Sequence, residues 1–324
     1  MNHIKTEKAG QVGYITLDRP KALNSLTLDM IRAIHAAIIQ YENDSDVDVI
    51  ILRSSHQRAF CAGGDMKATR ELAINNQWQD FREFFEVEYD LNLHISRCSK
   101  PYLSLVSGVA MGGGLGLTVH GKIMVVCETT KLAMPETAIG FFPDVGGTYF
   151  LSRLPYDAGL WLALTGMPVN GEEAVSIGLA SHYVTSAKWQ QLTQSLEQQG
   201  RIALQTVLPA VAIKPDDQPF SERFKQRQQW FTADSDQALI NTLQQASNQN
   251  DDAAVLLEKL NAASPYAVAV TRRLLQQAKP HDLEKCLQLE LAAGEEVARH
   301  PDFAEGIRAV LIDKDKPVWA SNFQ

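Results

Sequence analysis

No run of apolar residues in this chain is long enough to cross a bilayer. Nor does a basic stripe stand out. The net charge is −8, so the phosphate contacts of a nucleic-acid binder have no evident source. Cysteine is scarce: Cys61, Cys98, Cys127 and Cys286 form no C-x-x-C pair. That argues against a zinc site or a disulfide framework and for reduced thiols. The first seven residues lack both an apolar signal core and an Arg-rich presequence, so the expectation is a cytoplasmic protein. The eight histidines give no H-E-x-x-H pattern, and His120 is expected to pack at a helix end. Ser104 and Ser107 lack the flanking glycines of a G-x-S-x-G elbow, which argues against a serine hydrolase. No repeat and no low-complexity tract interrupts the chain.

What is present is ordinary in bulk and uneven along the chain. At 324 residues, 45% hydrophobic and 21% charged, the chain can bury a large core. Residues 2–18 read as two short strands turning at Gly10. Thr27 is placed to cap a helix whose apolar face is Met30, Ile31, Ile34, Ala37, Ile38 and Tyr41. Residues 49–52 are wholly apolar, as a strand covered on both sides must be. Helical patterning returns over residues 220–231, 238–246 and 265–311. In the last of these, Val268, Val270, Leu274 and Leu275 lead into a second segment with Leu283, Leu287, Leu289, Leu291 and Val297. The expected fold is α/β, with a core domain over residues 1–184 and a helical cap or assembly region over 185–324.

Chemistry concentrates between Lys100 and Leu154. A strand at residues 102–106 leads to Gly112, Gly113 and Gly114 at a helix start. Three glycines there cost backbone entropy of roughly 0.5–1 kcal/mol each relative to alanine, which close approach of a ligand to backbone N–H groups would justify. The stretch is neither a phosphate P-loop nor a dinucleotide fingerprint, because no Gly-Lys-Ser/Thr follows and the glycine spacing differs. Ala62, Gly63, Gly64, Asp65 and Met66 form a second glycine entrance, read either as a plain helix-entry turn or as an anion or oxyanion site. Glu136 and Asp144 share a loop with Phe141 and Phe142. They are either solvated surface acids or acids in an apolar pocket, where desolvation suits a carboxyl to acid–base work. On the helix around residues 80–97, counting by three and four from Phe81, Phe84 and Phe85 puts Glu88 on the apolar face. A carboxylate there needs a structural partner or a function.

These motifs resemble those of the crotonase (enoyl-CoA hydratase/isomerase) superfamily, over almost the whole chain from Val12 to Asp315. The specific marks are residues 60–65, residues 111–117 with 119–121, residues 133–137 with 142–147, and residues 305–315. Closest is the branch that hydrolyses 3-hydroxyisobutyryl-CoA in valine breakdown. The resemblance implies a spiral of ββα units binding an acyl-CoA, with the thioester oxygen held by the Gly64 and Gly113 N–H groups. It implies substrate contacts at Lys21, Ala22 and Leu23 along the CoA arm, and at Ala62, Asp65, Met66 and Gly112. The superfamily's hydratases use two glutamates. Gly116 stands at the first position, Glu136 at the second, and Asp144 where hydratases usually carry glycine. The Glu136/Asp144 pair is the hydrolase pattern, and Glu88 matches an acid that meets the substrate hydroxyl. CoA enters as part of the substrate, and no metal or other cofactor is expected. Partners are thus an acyl-CoA and, following the superfamily, further copies of the chain in unstated number, with no nucleic acid and no membrane. The competing readings are an enoyl-CoA hydratase or isomerase and a non-catalytic acyl-CoA-binding protein.

Overall fold

The computed structural model of the chain describes residues 3–216 and 218–323. β1 (Ile4–Ala9) and β2 (Val12–Leu17) pair antiparallel, Ile4 opposite Leu17 and Ala9 opposite Val12. Gly10 turns between them at φ +54°, and a side chain there would run into the Glu197 backbone. The later strands are β3 (Val49–Ser54), β4 (Ala59–Cys61), β5 (Tyr102–Val106), β6 (Val109–Met111), β7 (Lys122–Val126), β8 (Lys131–Ala133), β9 (Val169–Asn170) and β10 (His182–Tyr183).

Two sheets result. The larger has the order β1-β2-β3-β5-β7-β10, and every pairing after the opening hairpin is parallel. Parallel strands lie between two covering layers, which is why residues 49–52 and all of β5 are apolar or small and buried. The smaller sheet has the order β4-β6-β8-β9.

The chain divides into two compact units, each gathered from separate segments. The first holds described residues 3–64, 87–132 and 169–216. Its sheet residues Val12, Tyr14, Val49, Ile51, Leu103 and Val125 pack against Leu192, Leu196, Ala203, Leu208 and Val211. Residues 185–216 therefore belong with the sheet, and the expected boundary after residue 184 falls inside this unit. The reason is physical: the polar Gln-rich stretch still carries one apolar stripe, and that stripe covers the sheet. The helix Leu28–Glu42 is capped as expected, with Thr27 Oγ1 accepting from the Met30 N–H at 3.2 Å.

The second unit holds described residues 65–86, 133–168 and 218–323. It is helical for most of its length. Gln218–Trp230 and Asp236–Ser247 match the expected patterning, followed by Asp251–Ala262, Pro265–Ala278, Leu283–Ala298 and Pro301–Ile307. Fully buried Trp161 stacks on Phe224 at 5.7 Å, and the Arg227 guanidinium lies 4.4 Å from the Trp161 ring. Arg227 is in turn clamped by both oxygens of Asp252.

Candidate active site

In the first unit, two glycine entrances lie side by side. β4 ends at Cys61, and the chain turns through Gly63 at φ +101°, which suits glycine alone. β6 ends at Met111, and Gly112 at φ +49° leads into the helix Gly113–Val119. A Cβ on Gly113 would lie 3.3 Å from the Gly64 nitrogen and would collide with Glu88 Oε1. A Cβ on Gly114 would lie 2.6 Å from the Cys61 carbonyl oxygen. Among the described residues, neither the Gly64 nor the Gly113 N–H donates to a backbone carbonyl. Adjacent N–H groups of this kind can hold the oxygen of a polarised carbonyl. Glu88 is 2% exposed, as its place on the apolar face requires. Cys61 is buried, and burial pushes its thiol up to about 12, so it stays protonated.

The neighbouring loop is tied to these entrances. Pro20–Ala22 is one 3-10 turn, followed by Leu23 and Asn24 at φ 50° and 56°. The Ala62 N–H donates to the Leu23 carbonyl at 3.0 Å, and the Asn24 amide to the Phe60 carbonyl at 2.9 Å. Lys21 and Leu23 are exposed.

In the second unit, Asp65 caps the helix Met66–Ile74 by accepting from the Ala68 N–H. Glu136 opens a 3-10 turn, Glu136–Ile139, directly after Pro135. Glu136 is 7% exposed and Asp144 6%, so they are not solvated surface acids. Their loop carries a stack of aromatic rings: Phe141 lies 4.5 Å from Phe142, 5.6 Å from Phe85 and 5.6 Å from Phe303. The turn is held backbone against backbone. Gly140 sits at φ +73°, where a side chain would strike the Asp302 carbonyl. A side chain on Gly306 would strike the backbone of Ile139. The Ser264 N–H donates to the Thr137 carbonyl at 2.9 Å. Arg308 closes the C-terminal end by pairing with Glu305, Asp313 and Asp315.

Glu290 is a functional candidate that the sequence pattern alone does not single out. It lies on Leu283–Ala298, is 0% exposed, and accepts from the Gly146 N–H at 2.8 Å and the Thr148 N–H at 2.9 Å. Burial, reinforced by the charge of Asp144 and opposed by these hydrogen bonds, pushes its carboxyl up to about 8. The buried face of this helix runs through Leu283, Cys286, Leu287, Glu290, Ala293, Gly294 and Val297, and Leu289 and Leu291 are only half-buried. Counted by three and four from Leu283 and Leu287, the buried face includes Glu290, so the rule that exposes Glu88 was the signal for it too. Among the described residues, no cluster of three or more His, Cys, Asp or Glu could hold a metal ion.

Within the first unit, then, Gly64, Gly113 and Glu88 come together, with Ala62 bonded to the loop of residues 21–23. Within the second, Glu136 and Asp144 share one buried loop.

Residues 12–322 match the family described as enoyl-CoA hydratase/isomerase. The chain is 39% identical to the mitochondrial 3-hydroxyisobutyryl-CoA hydrolases of Bos taurus and Homo sapiens, over 97% of its own length and 83% of theirs. Among solved structures it resembles a carnitinyl-CoA dehydratase from Mycobacterium thermoresistibile, at 37% identity and a TM-score of 0.91, covering 98% of this chain and 92% of that one.

Proposed function

The chain belongs to the enoyl-CoA hydratase/isomerase family, and from that premise we propose that it hydrolyses the thioester of a short 3-hydroxyacyl-CoA, 3-hydroxyisobutyryl-CoA first and 3-hydroxypropionyl-CoA second. The observation that carries the reading is the pair of buried carboxylates, Glu136 and Asp144, on one loop. Relatives at 39% identity named as hydrolases of 3-hydroxyisobutyryl-CoA support it.

In the proposed reaction the Gly64 and Gly113 N–H groups hold the thioester oxygen as it gains charge. Such a donor is worth about 2.7–4 kcal/mol in the transition state. Glu136 acts by one of two routes. It attacks the carbonyl carbon, expelling the CoA thiolate and leaving a mixed anhydride for water to open, or it takes a proton from the attacking water. Asp144 holds the water and returns a proton to the thiolate. Glu88 accepts a hydrogen bond from the substrate hydroxyl. Lys21, Ala22 and Leu23 line the CoA arm, with Ala62, Asp65, Met66 and Gly112 about the acyl group. CoA is consumed as substrate, and the reaction needs no other cofactor.

The dehydratase named above favours a second reading, water addition or removal at an enoyl-CoA. That chemistry in this family uses a second glutamate, where this chain has Gly116. The proposed compartment is the cytoplasm. Four free cysteines suit that reducing setting and equally the mitochondria of the relatives. Among the described residues, no helix is long and apolar enough to cross a membrane. Assembly into homo-oligomers is proposed without a stoichiometry.

The test is CoA release from 3-hydroxyisobutyryl-CoA, followed with a thiol reagent, in the wild type and in Glu136→Gln. Release that collapses by about a thousandfold or more in the variant supports the reading. Hydration of crotonyl-CoA without hydrolysis sinks it in favour of the second. A single turnover in ¹⁸O-water separates the two routes, because only the anhydride route can leave label in Glu136.

A further inference from the structure

Asp144 is followed by a turn that is costly on its own. Val145 sits at φ +52°, a left-handed conformation that β-branched residues avoid, and Gly146 follows at +76°. Conformations of this kind persist only where the surroundings over-determine them. Three donors of this turn converge on Glu290. The Gly146 N–H reaches Oε2 at 2.8 Å, while the Thr148 N–H and hydroxyl reach Oε1 at 2.9 and 2.5 Å. The two backbone N–H groups fall on different oxygens of the one carboxyl, which is 0% exposed, and an amide side chain has only one acceptor oxygen to offer them.

The groups that act on Glu290 are few. Asp144 and Thr148 do so from the turn and the helix it opens, and Cys286 faces it from its own helix. No cation pairs with it among the described residues.

We propose that Glu290 is the positioning residue for Asp144: it fixes residues 144–148 in their strained conformation and thereby sets where the Asp144 carboxyl stands. The part concerning proton transfer rests on the hydrolase reading above. Glu290 exchanges no atom with the substrate. Below about 8 it keeps its proton and adds no charge beside Asp144. Above that it ionises, and the negative charge it then places near Asp144 opposes the charge Asp144 would gain on giving a proton to the departing thiolate.

The experiment uses the full chain in three forms: wild type, Glu290→Gln and Thr148→Val. Amide hydrogen exchange is read at Gly146 and Thr148, and CoA release is read from neutral to alkaline pH. For Glu290→Gln the expected result is lost protection at one of the two amides and a kcat about ten- to a hundredfold lower, on the scale of a misplaced catalytic group. KM should stay within about twofold, and the alkaline fall near pH 8 expected of the wild type should be absent. Thr148→Val keeps the N–H bond but loses the hydroxyl that favours the ionised form, so its alkaline fall should move to higher pH. That variant decides the matter if Glu290→Gln does not fold. Unchanged exchange, an unchanged profile, or a loss confined to KM would overturn the proposal. If the wild type releases no CoA, the hydrolase reading fails instead, and the exchange data still decide whether Glu290 holds the turn.

Discussion

Gly113 is where the smallest change should do the greatest harm. One methyl group there must displace the Glu88 carboxylate and crowd the Gly64 nitrogen. Gly113→Ala is therefore expected to lower kcat for CoA release by about 10²–10³, the cost of an oxyanion donor, with a far smaller effect on melting temperature. Glu88 makes a sharper test of specificity. Glu88→Gln should lower kcat/KM for 3-hydroxyisobutyryl-CoA by roughly tenfold or more, about the worth of a charge-assisted hydrogen bond, and leave isobutyryl-CoA unchanged. Equal losses on both substrates would remove Glu88 from hydroxyl recognition. Glu88 is legible in the sequence because it follows a run of phenylalanines at helical spacing. Glu290 obeys the same rule but is masked by Leu289 and Leu291, which make its surroundings look apolar on the wrong face. The adjacency of Gly64, Gly113 and Glu88 is not legible in the residues themselves, since contact between positions far apart in sequence depends on the strand order.

At the level of elements, the 3-10 turn Glu136–Ile139 owes its place to a helix that follows far later in the chain. Gly140 and Gly306 let the two backbones touch. Gly306→Ala must push them apart, and overpacking of this kind costs typically about 1–3 kcal/mol. The expected result is a lower melting temperature together with a lower kcat, because the displaced turn carries Glu136. A variant that melts earlier but turns over normally would show that the turn tolerates the shift. The single elements are easy to read from periodicity: the apolar face of Leu28–Glu42 and its Thr27 cap are as expected. Grouping them is harder. Residues 185–216 look polar and separate, yet Leu192, Leu196 and Leu208 cover the large sheet.

For the molecule as a whole, the acids set a stability curve with two limbs. Burial alone would push the Glu42 carboxyl up, but hydrogen bonds from Ser99, His94 and Cys98 outweigh it and hold the group at about 2. Glu305, bonded foremost by Arg308, is also held at about 2. Both lie below the ordinary value of 4.5, so their stabilisation is present above 4.5 and lost as pH falls through 2. Glu290 lies above that value, so its contribution is full below 4.5 and is lost as pH rises through 8. Melting temperature should therefore peak in the weakly acid range, and Glu290→Gln should flatten only the alkaline limb. A curve that still rises from pH 5 to 8 would contradict this assignment for Glu290. The bond from Gly146 to Glu290 also spans 144 residues of chain. A ribosome adding about 5–20 residues per second delivers Glu290 on the order of ten seconds after the loop it must hold. Until then the nascent polypeptide carries both Glu136 and Asp144 without the brace on their loop, so an interrupted translation product should be inert toward the cell's thioesters rather than partly active.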